Sequence, residues 1–344
     1  MNFHNRPAAP ILSGRARLAR GALIGSFGRH ARCQHKDRNA RQSLLLVGGL
    51  TIITAFSAWL LWGSPGVIIT LVWILGLYLF APRVPPEMVM RMYRATRLDP
   101  RRGDPLTQIV AALSRRAELA AVPDVYIIPS TTLNAFATGR PDKAVIGITE
   151  GLLRRLNAEE LAGVLAHEIS HVRNNDLAVM GLADVMTRFT QMLSYLALFL
   201  AFFHLPSILA GKANLSLMAL LILYLAPSIG SLLQLGLSRT REYDADLEGA
   251  YLAGNPRGLI SALQKLERYQ GRFWEDLAFP VPGRRIPQPS LLRSHPTTAE
   301  RVERLRDAEG RPTLPPIEVA HEPIAALAGA AALRPRTRWP GVWY

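Results

Sequence analysis

This 344-residue chain has a single cysteine and is short of acidic side chains relative to basic ones. A lone cysteine, Cys33, excludes an internal disulfide and a thiolate metal site. It lies in a basic segment and reads as a reduced, unremarkable thiol; juxtamembrane palmitoylation has nothing else in the sequence behind it. Asp and Glu number 26 against 40 Lys and Arg, a formal net charge of +14. Charge of either sign is absent from the whole of residues 42–81. That gap excludes an ordinary soluble domain over the stretch, because water-facing surface needs charged or polar cover.

The uncharged run divides into candidate spans at 43–62 and 66–81, separated by Gly63-Ser64-Pro65-Gly66, a tight-turn signal. A second apolar pair covers 189–211 and 213–238, interrupted only by Lys212, and each member is long enough to cross a ~30 Å hydrocarbon core. The expectation is four transmembrane helices in two hairpins, against a competing reading of the second pair as buried helices of a large soluble core. Basic residues flank the first hairpin. Residues 1–42 hold eight arginines, one lysine and one aspartate, and Arg83, Arg91, Arg94, Arg97, Arg101 and Arg102 follow the second span. Cytoplasmic loops carry such an excess, so these flanks and the region between the hairpins are expected inside, in the cell (inner) membrane if the source is bacterial. The long basic start favours an uncleaved anchor over a signal peptide. It also resembles a mitochondrial transit peptide, which leaves the identity of the membrane open. No aromatic-interleaved basic motif or helix-turn-helix signal accompanies the charge, so nucleic acid is not expected as a partner and membrane lipid is.

His167-Glu168-Ile169-Ser170-His171 carries the chemistry. Residues four apart share one helical face, so both imidazoles can ligate one zinc ion while Glu168 stands beside it as a general base. Zinc lowers the pKa of a water it binds to about 7, within reach of an adjacent carboxylate. Asn157 with Glu160 three positions on marks the helix start, and Asn174-Asn175-Asp176 marks its end. The competing reading is a solvated helix with two surface histidines.

Catalytic zinc usually has three protein ligands and an open position. The best candidate for the third is Glu242, in Arg239-Thr240-Arg241-Glu242-Tyr243-Asp244-Ala245-Asp246 just after the fourth span. Asp246, one turn further, can accept the free N–H of a ligating histidine. A charged juxtamembrane helix with internal ion pairs is the alternative. Elsewhere, residues 84–120 read as mostly helical, with Leu106, Ile109, Val110 and Leu113 at helical spacing. Short strands at 125–128, 135–138 and 144–148 predict a small antiparallel sheet. Helices are expected at 240–253, 255–269 and 297–308, with a Pro-rich loop at 280–290 and a loosely ordered Pro/Ala-rich tail from 310 whose Trp339, Trp343 and Tyr344 can rest on lipid headgroups.

These motifs together resemble the HtpX family of membrane zinc metalloproteases, related more distantly to the CAAX prenyl proteases. The matching residues are Asn134, Ala135, Phe136, Ala137, Thr138 and Gly139, the His167 to His171 motif with Asp176, Arg241-Glu242-Tyr243 with Ala245-Asp246, and His295-Pro296. The match spans roughly 43–307. The resemblance implies an α+β, mainly helical zincin-type core binding one Zn2+ per subunit through His167, His171 and Glu242, with Glu168 as the base and Asp246 and Asp176 behind the ligands. Quality control of misfolded membrane proteins is the role it suggests, with polypeptides as substrates. A processing protease of the same superfamily and a non-proteolytic zinc-binding scaffold are the competitors. Residues 134–139 read physically as an edge strand that can add an extended peptide, or as an ordinary β-segment and turn. His295 can donate to the oxyanion of a tetrahedral intermediate, or simply precede a helix entry at Pro296. The domains expected are a basic extension (1–42), a membrane hairpin (43–82), a catalytic region with the zinc helix (83–188), a second hairpin (189–238), a segment completing the site (239–309) and a tail (310–344).

Overall fold

A computed structural model describes residues 40–80, 85–99, 104–203, 217–277, 297–309, 314–317, 337–338 and 342–343. The Pro-rich loop at 280–290, His295, Trp339 and Tyr344 lie outside the described residues.

Two apolar helices come first among the described residues: α1 (Ala40–Trp62) and α2 (Ser64–Phe80), joined at Gly63, whose φ of +65° suits a residue without a Cβ. After α3 (Pro86–Met92), strand β1 (Thr96–Arg97) and α4 (Pro105–Arg116), strands β2 (Asp124–Ile128), β3 (Ala135–Arg140) and β4 (Lys143–Thr149) complete one sheet. α5 (Glu150–Arg155) and α6 (Ala158–Arg173) follow, then α7 (Asp176–Phe203), α8 (Leu217–Ala253), α9 (Pro256–Leu277) and α10 (Thr298–Asp307).

The sheet corrects the expectation of antiparallel pairing. Its order is β1-β2-β4-β3, and β2 runs parallel to β4, with Tyr126 opposite Gly147. β3 and β4 form the expected hairpin, but β4 folds between β2 and β3 and leaves β3 at the border. Composition explains why. β4 is apolar on both faces, with six consecutive buried residues after Lys143, the pattern of a central strand. β3 alternates small residues and tolerates a border position.

Leu106, Ile109, Val110 and Leu113 of α4 are all buried against this sheet, as their spacing predicts, and Leu161, Leu165, Ile169 and Val172 of α6 join the same core. Burying a leucine or isoleucine contributes roughly 1.5–3 kcal/mol, so these positions hold α6 to the sheet. A smaller cluster of Ala250, Leu259, Ile260, Leu263, Val302 and Leu305 joins α8, α9 and α10. A third, Leu46, Leu50, Ile74, Ala183 and Met186, joins α1 and α2 to α7.

Three described helices are long and apolar enough to cross a membrane: Ala40–Trp62, Asp176–Phe203 and Met218–Ala253. α2, with 17 residues, spans about 25 Å at 1.5 Å per residue, short of a ~30 Å core. Four spans in two hairpins are therefore not established by the helices. Large side chains such as Ile52, Ile69, Phe202 and Leu232 are each more than two-thirds exposed. Such apolar surface marks contact with lipid rather than water. α8 also differs from expectation. The apolar span and the helix predicted at 240–253 form one uninterrupted helix of 37 residues, with Pro227 inside it.

Candidate metal centre

α6 is punctuated by its own residues. The Asn157 side chain accepts from the Glu160 N–H at 2.8 Å, and Glu160 Oε2 accepts from the Asn157 N–H at 2.9 Å. This reciprocal cap sets the helix frame, and His167 and His171 occupy its last turns. Glycines bring partner helices close. A Cβ on Gly249 of α8 would lie 2.9 Å from the His167 nitrogen, and one on Gly163 of α6 would lie 2.7 Å from the Leu259 nitrogen of α9. Only glycine permits backbones that near.

At this separation Glu242 reaches the histidines. His167 Nε2 and His171 Nε2 are 3.3 Å apart, and Glu242 Oε2 and Oε1 lie 3.5 and 3.6 Å from them. Four-coordinate ions with ligands at about 2.0–2.1 Å set neighbouring ligand atoms about 3.3–3.4 Å apart. The triangle therefore has the size and the N, N, O donor chemistry of a divalent-metal site, with the three ligand atoms within 4.8 Å of one another.

Carboxylates orient both rings from behind. His167 Nδ1 is 3.0 Å from Asp246 Oδ1, and His171 Nδ1 is 2.9 Å from Asp176 Oδ2. Engaging Nδ1 this way turns each Nε2 toward the common point. Arg301 of α10 in turn donates twice to Asp246, from Nε at 2.7 Å and Nη2 at 2.5 Å, and its Nη1 lies 3.6 Å from Glu242 Oε2. Asp176 pairs with Arg241. Burial disfavours a charged His167, yet the bonds to Asp246 and Glu242 outweigh it and raise the imidazole from 6.5 to about 10. Burial and the neighbouring His167 push His171 the other way. The carboxylates that raise His167 in this way would also favour a cation held between the two rings.

Glu168 faces the sheet, where its Oε2 accepts from the Ala137 N–H at 3.0 Å. Backbone groups of successive strand residues point to opposite sides. Ala137 thus presents its N–H and C=O away from β4, as do Ala135 and Gly139, while Phe136 and Thr138 turn theirs toward it. Asn134 also faces β4, exchanging bonds with Thr149: its N–H donates to Thr149 Oγ1 at 3.0 Å and its C=O accepts from the Thr149 N–H at 3.0 Å. Asn134 therefore anchors the entry to β3 rather than its open border. The Phe136 ring packs on Tyr93, with centroids 5.3 Å apart. Gly139 has a φ of +101° and would place a Cβ 2.3 Å from the Lys143 carbonyl oxygen, so the turn into β4 requires glycine.

The sequence motifs include Arg241 without a role and leave Arg301 out. Both are nearly inaccessible, at 7 % and 2 % exposure. The available signal was indirect: two acidic residues on one buried helix face require a countercharge, and the last helix supplies an arginine one residue before the buried Val302.

A buried His, His, Glu cluster with a carboxylate between it and a sheet border defines a metallopeptidase class of site. The comparisons agree. The model of peptidase family M48 matches residues 100–309. A protease HtpX homolog of Desulfatibacillum aliphaticivorans is 38 % identical over 285 residues, covering 78 % of this chain and 90 % of the relative. One of Salinibacter ruber is 35 % identical over 283 residues, covering 79 % and 99 %. The crystal structure of S. mikatae Ste24p is similar at a TM-score of 0.45 and 20 % identity, covering 78 % of this chain and 64 % of that one. The chain belongs to peptidase family M48 and is a membrane metalloprotease related to the HtpX proteins.

Proposed function

We propose that this protein is a zinc endopeptidase with one Zn2+ per subunit, held by His167, His171 and Glu242, cleaving misfolded membrane proteins at the cytoplasmic face of the bilayer. The observation that carries the reading is the convergence of the ligand triangle, the Glu168 carboxylate and the outward edge of β3. When bound, zinc supplies a Lewis acid that polarises the scissile carbonyl and lowers the pKa of water toward about 7. Glu168 takes the proton of the attacking water on a carboxylate oxygen and returns it to the leaving amine. Its bond to the Ala137 N–H fixes the carboxylate between substrate and metal centre. An extended peptide adds to β3 as a further strand, pairing with the outward groups of Ala135 and Gly139 and with the Ala137 carbonyl, while the Ala137 N–H stays on Glu168. Asp246 and Asp176 hold the two imidazoles, and His295 donates to the developing oxyanion.

The helix ends support the cytoplasmic placement. Ser43 at the start of α1, Asp176 at the start of α7 and Arg241 beyond the apolar part of α8 meet beside the metal centre, so the site sits level with one end of all three spans. The basic residues that flank the first hairpin in sequence support placing that end in the cytoplasm. With α2 as a short fourth crossing, we keep the domain division at 42, 82, 188, 238 and 309, which follows the charge-free runs of the sequence rather than the ends of the helices.

The test is purified wild type beside Glu168→Gln, assayed on casein and on an unfolded membrane protein with a chelator control. The variant should keep its metal and lose ~10²–10⁴-fold in rate. A Glu168→Gln enzyme with full activity would refute the assignment.

A further inference from the structure

We infer that Arg241 is a positioning residue that ties the seating of the first membrane helix, α1, to the metal ligand His171; the inference rests on the proposed ligand set. Arg241 directly precedes Glu242 in sequence but serves another direction. Its Nη2 donates to Ser43 Oγ at 2.5 Å, across 198 residues, and its Nη1 pairs with Asp176 Oδ1. The other oxygen of Asp176 is 2.9 Å from His171 Nδ1. An unbroken chain thus runs from the start of α1 through a guanidinium and a carboxylate to a ligating imidazole.

Burial makes this chain stiff. Arg241 is 2 % and Asp176 4 % exposed, so neither charge can turn to water if its partner moves. A guanidinium presents its donors in a rigid plane, which couples the Ser43 contact to the Asp176 contact. α1 is also docked along α7, the helix that Asp176 begins. Leu46 and Leu50 pack with Ala183 and Met186, and the Thr54 and Thr190 hydroxyls are hydrogen-bonded at 2.8 Å. Sliding α1 along α7 therefore changes the distance between Ser43 and Asp176, and the guanidinium passes that change to the His171 ring. The membrane helix that lies farthest from the ligands in sequence becomes part of the scaffold that aims one of them. The aim of His171, and with it metal affinity and turnover, depends on how α1 sits in its bilayer.

Full-length protein in nanodiscs tests this by zinc affinity in chelator competition, alongside kcat and KM on a reporter peptide. Ser43→Ala should weaken zinc roughly three- to tenfold and lower kcat with little change in KM, since a bond to a charged group is lost outside the substrate cleft. Arg241→Lys keeps one ammonium for Asp176 and cannot span both partners, so it should match Ser43→Ala. Combining the two should add nothing further. Leu113→Ala, in the core beside the sheet, should lower thermal stability and leave zinc affinity within about twofold, which separates aiming from general destabilisation. Wild-type zinc affinity in Ser43→Ala, or equal weakening by Leu113→Ala, overturns the inference while leaving the zinc reading intact. If Arg241→Lys does not fold, Ser43→Ala decides alone. Failure of the wild type itself to bind zinc removes the zinc reading and this inference together.

Discussion

α6 and α8 each supply residues of the candidate metal centre, yet they are positioned by different physics. α6 is a 16-residue helix with a complete reciprocal cap, and its apolar side is buried against the sheet. Its two histidines follow from local spacing once the helix forms. α8 is a 37-residue helix, mostly lipid-like in its first part, whose Glu242 has no local neighbour that makes it a ligand. It is brought into place by tertiary devices: Gly249 against His167, and Glu248 accepting from Ser170 Oγ at 2.7 Å, from Asn174 Nδ2 at 2.8 Å and from Arg173. Arg301 adds a third tie through Asp246. One half of the centre is therefore a property of a segment, and the other half a property of a helix–helix contact.

Removing a ligand from either helix should erase that distinction and give the largest effect. His167→Ala and Glu242→Ala are both expected to purify with substoichiometric zinc and without measurable proteolysis, read by metal analysis and peptide cleavage. Zinc retained at full occupancy by Glu242→Ala would show that α8 does not complete the sphere. Gly249→Val should expose the tertiary half specifically. Forcing side-chain atoms against the His167 backbone costs about 1–3 kcal/mol by overpacking, and zinc affinity should fall with the melting temperature. A variant with wild-type affinity would mean the close approach is incidental.

Asn157→Ala addresses the local half. Loss of the cap should cost ~1 kcal/mol in chemical denaturation while zinc affinity in the folded protein stays unchanged. A drop in affinity would mean that the cap sets the ligand frame more tightly than the packing does.

The finest test is titration of Glu160. Its burial opposes ionisation, but bonds from Lys265, Ser261 and the Asn157 backbone outweigh that and hold its pKa below the ordinary carboxylate value. A folded-state pKa that is depressed contributes stability present above the unfolded value of ~4.3 and lost as pH falls through the lower folded one. Wild type should lose stability across that acid window. Lys265→Met should be less stable at neutral pH and lose less on acidification, as followed by denaturant midpoints at several pH values. Parallel pH curves for the two proteins would dismiss the Glu160 contribution.

Much of the centre could be read from residues alone because its signals are short-range. The helix spacing of His167 and His171, the Asn157–Glu160 cap and the apolar stripe of α4 all act within one segment, so periodicity and capping chemistry suffice. Glu242 and Asp246 were reachable through their one-turn separation together with the ligand count that a catalytic zinc demands. What failed were judgements about partners. Three successive strands suggested a small antiparallel sheet, but the doubly apolar β4 takes the inner position and pairs in parallel with β2. The break expected between the fourth span and the Glu242 helix is absent, because nothing at 238–240 interrupts helical hydrogen bonding. Arg241 stood in the matching motif without a role and Arg301 carried no local signal, because the carboxylates they neutralise become buried only on folding.

Residue order alone determined that this chain has membrane helices, a capped helix with two histidines on one face, and a carboxylate beside them, since each depends on neighbours within a few turns. Only the tertiary structure decided that Glu242 meets those histidines, that β3 rather than β4 borders Glu168, and that two buried arginines balance the carboxylates. The physical reason is range: capping and periodicity are settled along a helix, whereas close backbone approach and charge neutralisation are settled between segments that only folding brings together.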